Sequence, residues 1–152
     1  MLSQSRRLAL IVRMGTRICA LPLGAVKEVM RPLAIEPISG MPPFVLGLSL
    51  IRGSPAPVVA LVRFFDEFSD EPITRFVVLQ VGQRVVALAV GGVAGIHELQ
   101  LPQLQDMPPL LRDAHADAIE AIGRLDEQLL IVLNTGNILP EAAYEFLWNR
   151  EQ

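Results

Sequence analysis

Residues 8–32, LALIVRMGTRICALPLGAVKEVMRP, and residues 76–99, FVVLQVGQRVVALAVGGVAGIHEL, are one unit written twice. Each is an apolar run, then glycine, a polar residue and arginine, then a second apolar run, a glycine and a valine-containing segment. Arg17 falls on Arg84, Leu21 on Leu88, Val26 on Val93 and Val29 on Ile96, all at an offset of 67. MPP at 41–43 meets MPP at 107–109 at an offset of 66. VVAL at 58–61 meets IVL at 131–133 once a small insertion is allowed around RDAHAD, residues 112–117. A unit that occurs only twice and is much longer than a solenoid repeat implies two similar subdomains, not an array.

Within each unit the pattern is strand-like. LALIVRM and RICALPL, like RFVVLQV and RVVALAV, are rich in valine, isoleucine and leucine, and the short turns MGT and VGQ join them as hairpins. GRLDEQLLIVL at 123–133 repeats the theme with an acidic turn at Asp126 and Glu127. Short strands need their edges closed, which points to an all-β chain of two small barrels. The approximate units are residues 7–65 and 75–139, with exchange of strands between them allowed. Helix is confined to short pieces. PPFVLGL and PPLLRDAHADAI can each begin with a helical turn, Thr135 or Asn137 can cap another, and Pro140 opens a C-terminal helix over 140–150 with Ala143, Phe146 and Leu147 on one face.

The totals bound the rest. A chain of 152 residues is one domain or two small subdomains sharing a core. Apolar residues make up 51%, charged residues 19%, and the mean hydropathy is +0.42, so part of the apolar surface is expected to serve partners. The longest apolar runs fall short of the ~18 residues of a membrane helix, and Arg13 and Arg17 break the SRRLALIV start before it reaches signal length. The lone Cys19 makes no internal disulfide and agrees with a reducing, cytoplasmic setting. Residues 1–60 hold 7 Lys/Arg against 2 Asp/Glu and residues 61–152 hold 6 against 14, giving halves of +5 and −8. That balance and the scarcity of aromatics oppose nucleic acid as a partner.

Catalytic constellations are missing from the pattern. Cys19, His97 and His115 are the only thiol and imidazoles, and Cys19 sits mid-strand, where a small buried residue is expected. Two histidines and one cysteine do not make a zinc site. VGGVAG at 90–95 lacks the dinucleotide spacing, and no Walker pattern occurs. The acids of FFDEFSDEP read as a polar linker between the repeats. No enzyme activity, metal or cofactor is expected.

One charge stands out against this background. GLSLIRGSPAPVVAL, Gly47 to Leu61, sets Arg52 between two apolar runs and follows it with Gly53, Pro55 and Pro57. Such an arginine is a hairpin tip, a binding residue or both. The stretch also carries a resemblance. Gly47, Arg52, Gly53 and Pro57-Val58-Val59 follow the Gly, four residues, Arg-Gly, Pro-Val-Val pattern of the CheW-like family, coupling proteins of bacterial chemosensory arrays. LALIVRMGTRICALPL, AVKEVMRP, IEPISGMPPFVLGL, RFVVLQVGQRVVALAV and GVAGI fall in the family's order, so the resemblance runs from about Arg7 to Trp148.

The resemblance implies two five-stranded SH3-like barrels, no catalysis, and two partners: the regulatory domain of a CheA-type histidine kinase and the cytoplasmic tip of a chemoreceptor. It implies a cytoplasmic location at receptor arrays, without membrane insertion. Val26, Glu28, Gly47, Arg52, Gly53 and Pro57 are its candidate partner-binding residues. Strand alternation puts Val26 and Glu28 on one face of AVKEVM and Lys27 and Val29 on the other. Glu28 reads equally as a solvated strand charge. The chain departs from the family at Leu50, where asparagine is usual, and at Ala60, where aspartate is. The alternative reading is a barrel that binds a small ligand in an apolar groove.

Overall fold

Both predicted hairpins form at their glycines. The computed structural model describes residues 6–66, 69–100 and 118–151. β1 (Arg6–Met14) and β2 (Arg17–Pro22) turn at Gly15-Thr16, and β6 (Arg75–Val81) and β7 (Arg84–Val90) turn at Gly82-Gln83. β9 (Ile119–Leu125) and β10 (Gln128–Leu133) turn at Asp126-Glu127, and Asp126 takes a φ of 56°. The remaining strands are β3 (Val26–Met30), β4 (Val45–Ile51), β5 (Ser54–Ala60) and β8 (Gly92–Gln100).

The ten strands form two sheets of five, in the orders β8-β1-β2-β10-β9 and β3-β6-β7-β5-β4. Each sheet joins the opening hairpin of one repeat to three strands of the other. The register repeats as faithfully as the sequence. Lys27 is the unpaired residue of a bulge against β6, and Ala94, 67 positions on, is its counterpart against β1. Leu46 and Glu120 are bulged in the same way, 74 positions apart. Seven residues are therefore inserted between β8 and β9; residues 101–117 of that segment, including RDAHAD and the second MPP, lie outside the described residues.

Successive residues of a strand point to opposite faces, and here both faces are buried. Leu10, Val12 and Met14 of β1 join Leu79, Leu88, Val90, Phe44 and Phe64 in a core between the sheets. Ala9 and Ile11 point the other way, into a second core with Leu130, Val132 and Leu99. Ile51, Val58, Phe76 and Val78 fill a third, inside the other sheet. Sheets covered on both faces need nearly continuous apolar strands instead of alternating ones. The high hydropathy is thus largely a consequence of three cores in one small chain, and less a reserve for partners.

Each sheet curls on itself. In the second sheet the segment that follows β3 meets the other end strand, β4, through a two-residue bridge, Glu36 to Leu48, with hydrogen bonds of 2.8 and 2.9 Å. In the first, Arg7 of β1 reaches Glu120 of β9 at 2.9 Å. Pro42 opens a single turn closed by Val45 N–H, after which the chain is strand, so PPFVLGL holds no more helix than that. The C-terminal helix α1 spans Glu141–Glu151 and buries Ala143 and Leu147, while Phe146 keeps 40% exposure at the rim. The preceding 3-10 turn, Thr135–Asn137, is capped by Asn134 and not by the expected Thr135 or Asn137, which lie within it.

Candidate functional site

Arg52 and Gly53 are the two central residues of the β4–β5 turn, with φ of 52° and 83°. Two positive φ values define the type I′ turn, whose twist matches that of the flanking strands and which ordinarily takes Asn-Gly. An arginine with a Cβ in this region is uncommon and strained. The two prolines fit the same hairpin. Ile51 and Ser54 close the turn, so Pro55, opposite Leu50, and Pro57, opposite Leu48, occupy positions whose missing N–H would face away from β4. β5 pairs with β7 on that side only from Val58, so neither proline breaks the ladder.

From the tip, Arg52 reaches across to β3. Its Nε and Nη2 donate to the two Glu28 carboxylate oxygens at 3.2 and 2.6 Å, a bidentate pair. β3 and β4 end the order of the sheet, so this pair and the Glu36–Leu48 bridge are two stitches across the seam that closes it. The Arg52 hydrogen bond, assisted by the charges of Arg52 and Lys27, holds the Glu28 carboxyl below its ordinary value, and Glu28 raises Arg52 in return. Both groups are charged at neutral pH. Two of the five guanidinium N–H donors bond Glu28, the other three make no hydrogen bond among the described residues, and the Arg52 side chain is 73% exposed.

Of the six residues expected at the site, the structure gathers Arg52, Gly53 and Glu28 at its surface. Val26 does not share the Glu28 face as alternation predicts, because Lys27 bulges between them: Val26 stands opposite Leu79 and packs against the core between the sheets, whereas Glu28 stands opposite Val78, on the side of the core inside the second sheet. Gly47 and Pro57 are buried in the frame. Gly47 has a φ of 143°, and a Cβ there would lie 2.0 Å from the Glu36 carbonyl oxygen, so the glycine is what lets the Glu36 bridge form.

Sequence reading missed the apolar surroundings. Leu50 is 68% exposed, and with Leu33, Ile35, Pro37 and Pro55 it lines an open groove of about 560 Å³ beside the hairpin. Its only signal in the sequence was the departure from the family asparagine. Ala60, the other departure, is buried at the N-cap of the 3-10 turn Leu61–Phe64, which has no side-chain cap. That departure therefore concerns a turn inside the fold and leaves the exposed surface alone.

Nothing catalytic assembles elsewhere among the described residues. Burial pushes the Cys19 thiol up to about 12, which keeps it protonated and inert at neutral pH. His97 is exposed on β8, and His115 lies outside the described residues. No three metal-ligating side chains converge among the described residues.

Known proteins share this plan. A Chemotaxis protein CheW of Klebsiella aerogenes is 27% identical over 132 residues, covering 86% of this chain and 80% of its own. Protein FrzA of Myxococcus xanthus is 29% identical over 136 residues, covering 86% and 83%. The crystal structure of the scaffolding protein TtCheW from Thermoanaerobacter tengcongensis superposes with a TM-score of 0.73 at 18% identity over 84% of each chain, a likeness of fold. The model of the CheW-like domain matches residues 8–143, nine-tenths of the sequence, and the chain belongs to the CheW-like family.

Proposed function

We propose that this protein is a non-catalytic coupling scaffold that joins the regulatory domain of a CheA-type histidine kinase to the cytoplasmic tips of chemoreceptors, and that it works at receptor arrays. Arg52 carries the reading: a charged, 73% exposed residue held in a strained turn, aimed by Glu28 and left with unused donors, at the position where the family pattern has its arginine. Strain of this kind is kept where a site uses it. The apolar groove beside Leu50 supplies aliphatic contact, and the exposed donors supply register, the combination that protein recognition needs. No described helix is long and apolar enough to cross a membrane, in keeping with a protein that reaches the array through its partners. Nothing favours the small-ligand alternative, which would use an apolar groove between the barrels; Leu10, Val12, Leu79 and Leu88 pack together in the core between the sheets.

The test is a ternary complex. The chain, a kinase regulatory domain and a receptor tip from the same genome, mixed and run by size exclusion, should elute together. Arg52→Glu should weaken kinase or receptor binding at least about tenfold, as expected for charge reversal at an interface. Its Tm should fall by no more than about 4 °C, the cost of losing the exposed Glu28 pair, which contributes at most about 1 kcal/mol. A wild-type chain that binds neither partner overturns the proposal.

A further inference from the structure

The repeated Gly-x-Arg of the hairpins, Gly15-Thr16-Arg17 and Gly82-Gln83-Arg84, takes no part in the Arg52 site. Turn geometry explains the glycines and leaves the arginines unexplained. Arg17 opens β2 in the first sheet, and its guanidinium lies over Phe65, 5.1 Å from the ring centre. Phe65 follows the 3-10 turn after β5, a strand of the second sheet. Arg84 opens β7 in the second sheet, and its guanidinium lies 4.3 Å from the ring centre of Tyr144 while pairing bidentately with Glu141. Both partners are on α1, which follows β10 of the first sheet. Each arginine thus ties a hairpin in one sheet to the segment that trails the other.

We propose that the two arginines are repeat-related clasps across the seam between the sheets, and that Arg84 is a latch holding α1 in its docked position. The chemistry suits arginine specifically, because a planar guanidinium can stack on a ring and present two parallel donors at once, which lysine cannot do. The two clasps differ in what else secures the segment. Phe65 adjoins Leu61 and Phe64, both buried, so its segment is fixed by packing. α1 is anchored by Ala143 and Leu147, and Tyr144 of its first turn packs on the same core while also lining, with Arg84, Leu79, Val86 and Leu139, an open pocket of about 330 Å³. On the pocket side the first turn lacks apolar contacts, so there the grip of Arg84 holds it. The Arg84 and Glu141 side chains are 40% and 61% exposed, so salt weakens that grip. Release of α1 uncovers Leu139 and Leu147, both buried while it is docked.

Hydrogen exchange on the full chain tests the latch. Arg84→Ala should speed exchange of the hydrogen-bonded amides of residues 144–147 about tenfold, the combined scale of an exposed cation–π contact and an exposed pair, while β1, β2 and β6 keep their wild-type protection. Glu141→Gln and Tyr144→Leu should each give a smaller local increase, and Arg84→Lys should fall between Arg84→Ala and wild type. Salt at 1 M should loosen α1 in the wild type and do nothing further in Arg84→Ala. Arg17→Ala should leave α1 unchanged. Exchange in α1 within twofold of wild type for Arg84→Ala overturns the latch. So does an equal acceleration in α1 and the strands, which would make Arg84 a general support of the fold; if Arg84→Ala fails to fold, wild-type α1 protection in both Glu141→Gln and Tyr144→Leu does the same.

Discussion

Arg52 and Gly47 show two ways in which one short stretch serves the site. Arg52 faces solvent from a strained turn; Gly47 is buried and absorbs the contact that closes the sheet behind it. Alanine at 47 would need an unfavourable φ and would drive its Cβ into the Glu36 backbone, which cannot swing aside as a side-chain tip can. Gly47→Ala should therefore cost at least about 2 kcal/mol, read by urea unfolding with unchanged slope. A loss below about 0.5 kcal/mol would show that the Glu36–Leu48 bridge gives way easily. The sequence named both residues through one pattern, but it could not tell the exposed partner of that pattern from the buried one. That distinction depends on Glu36, eleven residues upstream of Gly47, which no local reading brings to it.

At the level of elements, the hairpins were legible because glycine punctuates each repeat at the same place, and the acidic turn at Asp126 because two polar residues interrupt apolar runs. The pairing of Arg52 with Glu28 was not legible, since β3 and β4 stand at opposite ends of the sheet order and meet only when the sheet curls. The exchange of hairpins between the sheets was allowed by the sequence but not decided by it, because two copies of one motif offer each hairpin equivalent neighbours. The turns after β5 and β10 illustrate how the copies have diverged. They begin at Leu61 and Thr135, 74 positions apart like the bulges, with Ala60 and Asn134 at their N-caps. Asn134 accepts a hydrogen bond from Gly136 N–H at 3.2 Å, whereas Ala60 has nothing to offer. Asn134→Ala should cost about 0.5–1 kcal/mol in chemical denaturation, the usual value of a lost cap. No change in stability would mean that the second turn, like the first, stands on packing alone.

At the level of the molecule, the duplication buries apolar residues in three places: one core between the sheets and one inside each. Its interior is thereby filled, and function is left to the surface. The surface of the Arg-Gly hairpin has the mixed character of a recognition site, with Leu50 exposed, Arg52 outward and Glu28 fixing its aim. The central claim is that Arg52 is kept in its strained turn in order to bind, and one variant separates that role from any role in folding. Asn-Gly is the favoured type I′ pair, so Arg52→Asn should relieve the backbone and leave Tm equal to or above that of the wild type. Titration calorimetry of this variant against the kinase regulatory domain or receptor tip that the wild type binds should nonetheless show affinity reduced at least about tenfold. Wild-type affinity in a folded Arg52→Asn chain would contradict the account.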